Sequence, residues 1–163
     1  IVFDSIDSND VFLNSIQNIK WNENMEAIKK AKELTQAAKT DMEKVTIIYD
    51  YIVKNYDYDF EKINNVNTNY VPDVEKTYEE LTGMCYDFSS LFAAMLRSVG
   101  IPTKLVMGYK NDVEAYHAWN SVYIKTSDKW LTIDTSYDAV KRQEVSSYSM
   151  EKDAAEYKID KEY

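Results

Sequence analysis

The sequence predicts an α+β domain, because helical periodicity fills its first hundred residues and then gives way to short β-branched and aromatic runs. The switch is marked by Gly100 and Pro102, which end one pattern before the other begins. With 163 residues and no internal repeat or Gly/Pro-rich linker, the chain fits one folded unit with a core of its own.

The first 20 residues lack a clear period and read as an arm, or a link from an upstream region; residues 21–163 read as the domain. From Trp21, a stripe of Met25, Ile28, Ala31, Leu34 and Ala38 predicts the first helix. Thr40 followed by Glu43 is a capping-box pattern, opening a second helix whose apolar face is Met42, Val45, Ile48, Tyr49 and Ile52. Tyr58 to Thr82 is rich in Asn and Asp, contains Pro72 and reads as a long loop. Cys85, Phe88, Leu91, Phe92, Met95, Leu96 and Val99 then recur at helical spacing. Thr103–Tyr109, Tyr116–Ile124 and Lys129–Asp134 read as antiparallel strands. The acidic segment from Ser146 onward reads as a final strand and a frayed tail.

Composition removes several function classes. Lys and Arg total 19 against 28 Asp and Glu, a net charge of −9 that repels phosphate backbones and anionic lipid, so neither nucleic acid nor a membrane surface is expected as partner. No run approaches the roughly 20 apolar residues of a membrane span. One cysteine precludes an internal disulfide, and one cysteine with one histidine falls short of the four ligands of structural zinc. Asp57 and Asp59 lack the spacing and the glycine of a calcium loop and read as an acidic turn. No cofactor or metal is expected. The chain opens Ile-Val-Phe without Met, as a trimmed precursor does, which tilts the expected compartment toward secreted or cell surface.

Three residues stand out chemically. Cys85 opens the third helix, where unpaired N–H groups and the dipole favour a thiolate. His117 lies in one strand and Asp134 ends the next. A hairpin closing with Ile124 opposite Lys129 has paired numbers summing to 253, which puts Asp134 opposite Trp119, diagonal to His117 and on the same face. Each has a plainer reading: a buried small hydrophobe, a structural histidine, a turn aspartate. Together they supply a nucleophile, a base and a carboxylate to orient the base, with the Cys85 N–H available to an oxyanion. Trp119, Tyr109, Tyr116, Tyr86 and Trp130 are candidates to line a cleft, Tyr70 to supply a second oxyanion donor, and Asp87 and Arg97 to pair beside the cysteine helix.

The segments GMCYDFSSLFAAMLRSVGIPTKLVMGY, AYHAWNSVYI and KWLTIDTS, with the preceding DMEKVTIIYDYIVKNYDYD, resemble the motifs of transglutaminase-like domains over about Asp41 to Tyr137. The resemblance implies a papain-like fold with the cysteine helix packed on an antiparallel sheet. It places the family's nucleophile at Cys85, its base at His117 and its orienting acid at Asp134. It also implies acyl transfer from peptide or protein amides through a thioester. Hydrolysis is the first expectation, transfer of a glutamine acyl group to an amine the second. A non-catalytic binding or spacer module is the expectation from another class.

Overall fold

A computed structural model describes residues 7–145 and 147–163; the first six residues of the expected arm, and Ser146, lie outside the described residues. A short 3-10 turn, Ser8–Leu13, is followed by helices α1 (Glu26–Thr35) and α2 (Asp41–Asn55) and by strand β1 (Asp57–Tyr58). Helices α3 (Lys62–Asn65) and α4 (Val74–Glu80), strand β2 (Thr82–Gly83) and helix α5 (Cys85–Ser98) come next. Strands β3 (Thr103–Lys110), β4 (His117–Ile124) and β5 (Lys129–Ile133) lead to helix α6 (Thr135–Lys141). Strands β6 (Glu151–Lys152) and β7 (Tyr157–Glu162) close the chain.

All strand pairs of the main sheet are antiparallel, in the order β6-β5-β4-β3-β7. Helix α5 is the centre of the molecule. Every residue of it except Tyr86 and Ser98 is buried, its polar Asp87, Ser89, Ser90 and Arg97 each finding a hydrogen-bond partner, and its Phe88, Leu91, Phe92 and Leu96 share one core with Ile28, Ile48, Ile52, Leu105, Val122 and Ile133. The expected α+β arrangement, with the cysteine helix against an antiparallel sheet, is the observed one.

Several elements differ from the sequence reading, each for a physical reason. α1 begins at Glu26 rather than Trp21, because the Glu75 carboxylate, brought from α4, accepts the N–H groups of Glu26 (2.8 Å) and Ala27 (3.1 Å). Trp21 turns back instead and donates its indole N–H to the Leu13 carbonyl. Thr40 caps α2 as expected, accepting from Glu43 N–H at 3.1 Å, while the Glu43 carboxylate reaches the N–H of Lys39, one residue before the cap. The stretch expected as a loop contains α3 and α4, both too short to leave a periodic signal, and α4 is capped by Asp73. The C-terminal segment is an ordered edge strand: β7 hydrogen-bonds to β3 yet exposes every residue after Tyr157, so it carries no apolar alternation to read.

The β3–β7 register shifts between Met107 and Gly108, and there the two backbones come very close: a Cβ at Gly108 would collide with the Lys158 carbonyl. Gly108→Ala is therefore expected to push β7 off the sheet at a cost of about 1–3 kcal/mol. Hydrogen exchange checks this: the amides of residues 157–162 should lose protection well before those of β4.

Candidate functional site

Cys85 is the first residue of α5, and the approach to it is tightly built. The Asp87 carboxylate, with no exposure to solvent, accepts the Met84 N–H at 2.9 Å, the Tyr70 hydroxyl and the Lys62 ammonium at 2.8 Å. One buried charge thus closes the helix start and ties down the 62–70 segment. Gly83 makes room for it, since a Cβ there would sit 2.7 Å from the Asp87 Cβ. One turn along, Ser89 donates to the Cys85 carbonyl and Asn120 of β4 donates to the Ser89 carbonyl, linking the cysteine turn to the sheet.

The register of β4 and β5 is the expected one: Ile124 pairs with Lys129 and Asn120 with Ile133. The strand then ends one residue sooner than expected, and Asp134 caps α6, accepting from Tyr137 N–H at 3.3 Å. Its other oxygen lies 2.7 Å from His117 Nε2 and accepts the Tyr157 hydroxyl at 3.0 Å. Asp134 is fully buried and His117 nearly so. The imidazole stacks on Trp119, which in turn packs against the Tyr157 ring. Burial by itself lowers the histidine pKa, but the Asp134 charge and hydrogen bond, followed by those of Cys85, outweigh it and leave it pushed up to about 10. With Nε2 committed to Asp134, Nδ1 is the nitrogen left for the thiol.

The structure thus brings His117 and Asp134 into direct contact, and Cys85 is near enough to the imidazole to help raise its pKa. A cleft of about 570 Å³ opens at His117, walled by Tyr58, Phe60 and Ile63, by residues 112–115 and by α6. Its aromatic walls are Tyr58, Phe60 and Tyr137, not the aromatics expected from the sequence. Trp119 is buried behind the histidine, Trp130 packs on Phe12, Tyr86 on Tyr70, and Tyr109 on Tyr116. Tyr70 is not placed as an oxyanion donor, its hydroxyl being held by Asp87. Asp87 and Arg97 do not pair either: Arg97, at the far end of α5, donates to the carbonyls of Asn14, Thr103 and Tyr163, and burial lowers its pKa to about 10.

Two residues that the sequence reading missed touch the site. Tyr157 comes from an exposed edge strand with no apolar pattern. Tyr58 pairs with Gly83 through the β1–β2 bridge and stacks on Phe88, one turn beyond the cysteine. Burial, then interaction with Cys85, raises the Tyr58 pKa. The doublet Tyr56 and Tyr58 just after α2 was the available signal.

Residues 28–135 match the sequence profile of the transglutaminase-like superfamily. The chain is 26% identical over 115 residues to the kyphoscoliosis peptidases of Mus musculus and Homo sapiens, covering 64% of this chain and 17% of theirs. It is 26% identical over 70 residues to a peptide-N(4)-(N-acetyl-beta-glucosaminyl)asparagine amidase of Caenorhabditis briggsae, covering 43% of this chain and 11% of the amidase. The chain therefore spans only a small part of the length of these relatives. Among solved structures, a protein of Cytophaga hutchinsonii named as a candidate cysteine protease superposes with a TM-score of 0.65 at 24% identity, over 81% of this chain and 43% of that one.

Because its folded-state pKa is raised, His117 contributes stability that is complete below about pH 6.5 and is lost as pH rises through about 10. The single imidazole should remain protonated through neutral pH in an NMR titration. In Asp134→Asn its midpoint should fall by more than one unit, and the alkaline loss of stability should shrink with it.

Proposed function

Because the chain belongs to the transglutaminase-like superfamily, we propose that it is a cysteine-dependent acyl-transfer enzyme acting on amide bonds of peptides or proteins, with Cys85, His117 and Asp134 as its triad. The observation that carries this reading is the buried 2.7 Å contact between His117 and Asp134, beside a cysteine at a helix N-terminus. The reading takes residues 21–163 as one catalytic unit, to which Tyr157 contributes; the segment before it, expected as an arm, packs onto that unit through Ile19 in the core and through the Asn14 and Asn18 carbonyls.

In this reading the Cys85 thiolate attacks the amide carbonyl carbon, and the carbonyl π electrons move onto oxygen. The Cys85 backbone N–H is one donor to that oxyanion and the Tyr58 hydroxyl the second. As the C–N bond breaks, His117 Nδ1–H protonates the departing amine, leaving an acyl thioester on Cys85. Water then gives a proton to Nδ1 and attacks the thioester, releasing the carboxylic acid and regenerating the thiolate and imidazolium. Asp134 keeps the ring oriented through Nε2 and balances its charge, while Tyr157, Tyr137 N–H and Ser136 hold the carboxylate in place.

Hydrolysis is preferred over amine transfer on the support of relatives that carry peptidase and amidase names. An amine in place of water would complete the same cycle as a transglutaminase. A binding module without chemistry differs in one observable, since its lone thiol would react as an ordinary cysteine.

Alkylation of the single cysteine, followed by intact mass against pH, tests the proposal. Wild type should react well below the ordinary thiol pKa of about 8.5, and His117→Ala should not. An ordinary profile in both proteins would point to the binding module. Against a peptide substrate, Cys85→Ala and His117→Ala should abolish turnover, and Asp134→Asn should reduce it by about 10⁴-fold while the protein remains folded. Tyr58→Phe should lower kcat by about 10²-fold with little change in KM.

A further inference from the structure

The cleft at His117 does not end at Phe60. A second hollow, of about 370 Å³, continues behind it, and the two share Tyr58, Phe60, Val140 and Glu144 as common walls. Together they form one groove in which Phe60 is the central ridge. This side chain is 64% exposed, large and apolar, and its ring packs on Tyr58 at 4.8 Å. Ile63, Val113 and Val140 add to the apolar lining around it.

The charges along the groove are unequal in availability. Asp112 is held by Lys110 and by the Tyr137 hydroxyl, and Glu144 by Lys141 at 3.2 Å. Glu114 is exposed, and among the described residues its side chain makes no ion pair or hydrogen bond. It therefore stands at the mouth with its charge uncompensated, on a chain whose net charge of −9 attracts cations.

We propose that this groove binds an extended peptide segment that lays an apolar side chain against Phe60 and presents a neighbouring basic side chain to Glu114. The inference rests on the peptide acyl-transfer reading and adds the substrate class. An extended strand advances about 3.3 Å per residue, so hollows in series suit several consecutive residues better than one compact small molecule. The apolar contact supplies affinity. The exposed carboxylate supplies a smaller, salt-sensitive preference and faster capture of cationic substrates.

The test uses the full chain carrying Cys85→Ala, so that peptides bind without turnover, and fluorescence anisotropy with blocked hexapeptides. These pair Phe, Leu or Val, against Ser, with Lys or Arg, against Glu. Apolar-basic peptides should bind about tenfold more tightly than their Ser counterparts, and Phe60→Ser should erase that difference. Replacing the basic residue by Glu should weaken binding by about threefold at low salt, and Glu114→Lys should invert the order. Both substitutions lie at exposed positions, and circular dichroism confirms that each variant is folded. Binding that ignores peptide sequence, or a preference that survives Phe60→Ser, overturns the proposal. So does sedimentation showing that the groove closes on a second copy of the chain. In the Cys85 chain, iodoacetamide reports the thiol separately: a reactive thiol without peptide preference sinks the groove assignment alone, whereas an unreactive thiol with the preference intact supports the groove and removes the chemistry.

Discussion

A carboxylate sealed from water costs several kcal/mol unless donors surround it, and Asp134 has no exposure at all. Much of the architecture around the site can be understood as meeting that requirement. The odd-sum register of β4 and β5 puts His117 within 2.7 Å, and the start of α6 turns the Tyr137 N–H toward the second oxygen. The last strand of the sheet then brings in the Tyr157 hydroxyl. Removing any one donor leaves the same charge buried with fewer partners. The site and the stability of this part of the fold are therefore coupled.

Asp87 imposes the same constraint at the other end of the site. It is equally buried, and its three donors come from the residue before the cysteine and from the 62–70 segment. Its charge holds the start of α5 in position and also pins the chain that follows Tyr58 and Phe60. A buried carboxylate beside the cysteine and another beside the histidine thus anchor the two halves of the site independently. Gly83 and Gly108 permit a close approach at each half, the first of the Asp87 side chain and the second of the β7 backbone.

The family match ends at residue 135, yet Asp134 accepts a hydrogen bond from residue 157. The shared region supplies the cysteine helix and the histidine and aspartate strands. What lies beyond it here, α6 and β7, completes the environment of the aspartate and one wall of the cleft.

What the sequence by itself determined was everything encoded by local periodicity: the helix from Cys85, the Thr40 cap, the three central strands, and the pairing that sets His117 and Asp134 on one face. Period 2 in a strand and 3.6 in a helix carry the facing of side chains directly, so a short hairpin and a buried helix are legible from residue types alone. The fold class followed from the same signals. The tertiary structure alone decided the rest, because the partners concerned are distant in sequence and leave no periodic trace. Glu75 sets where α1 begins, Lys62 and Tyr70 converge on Asp87, and an exposed edge strand delivers the hydroxyl that completes the shell of Asp134. Desolvated charge selects such contacts: it demands donors from wherever the folded chain can bring them, and sequence spacing says nothing about which distant residues those are.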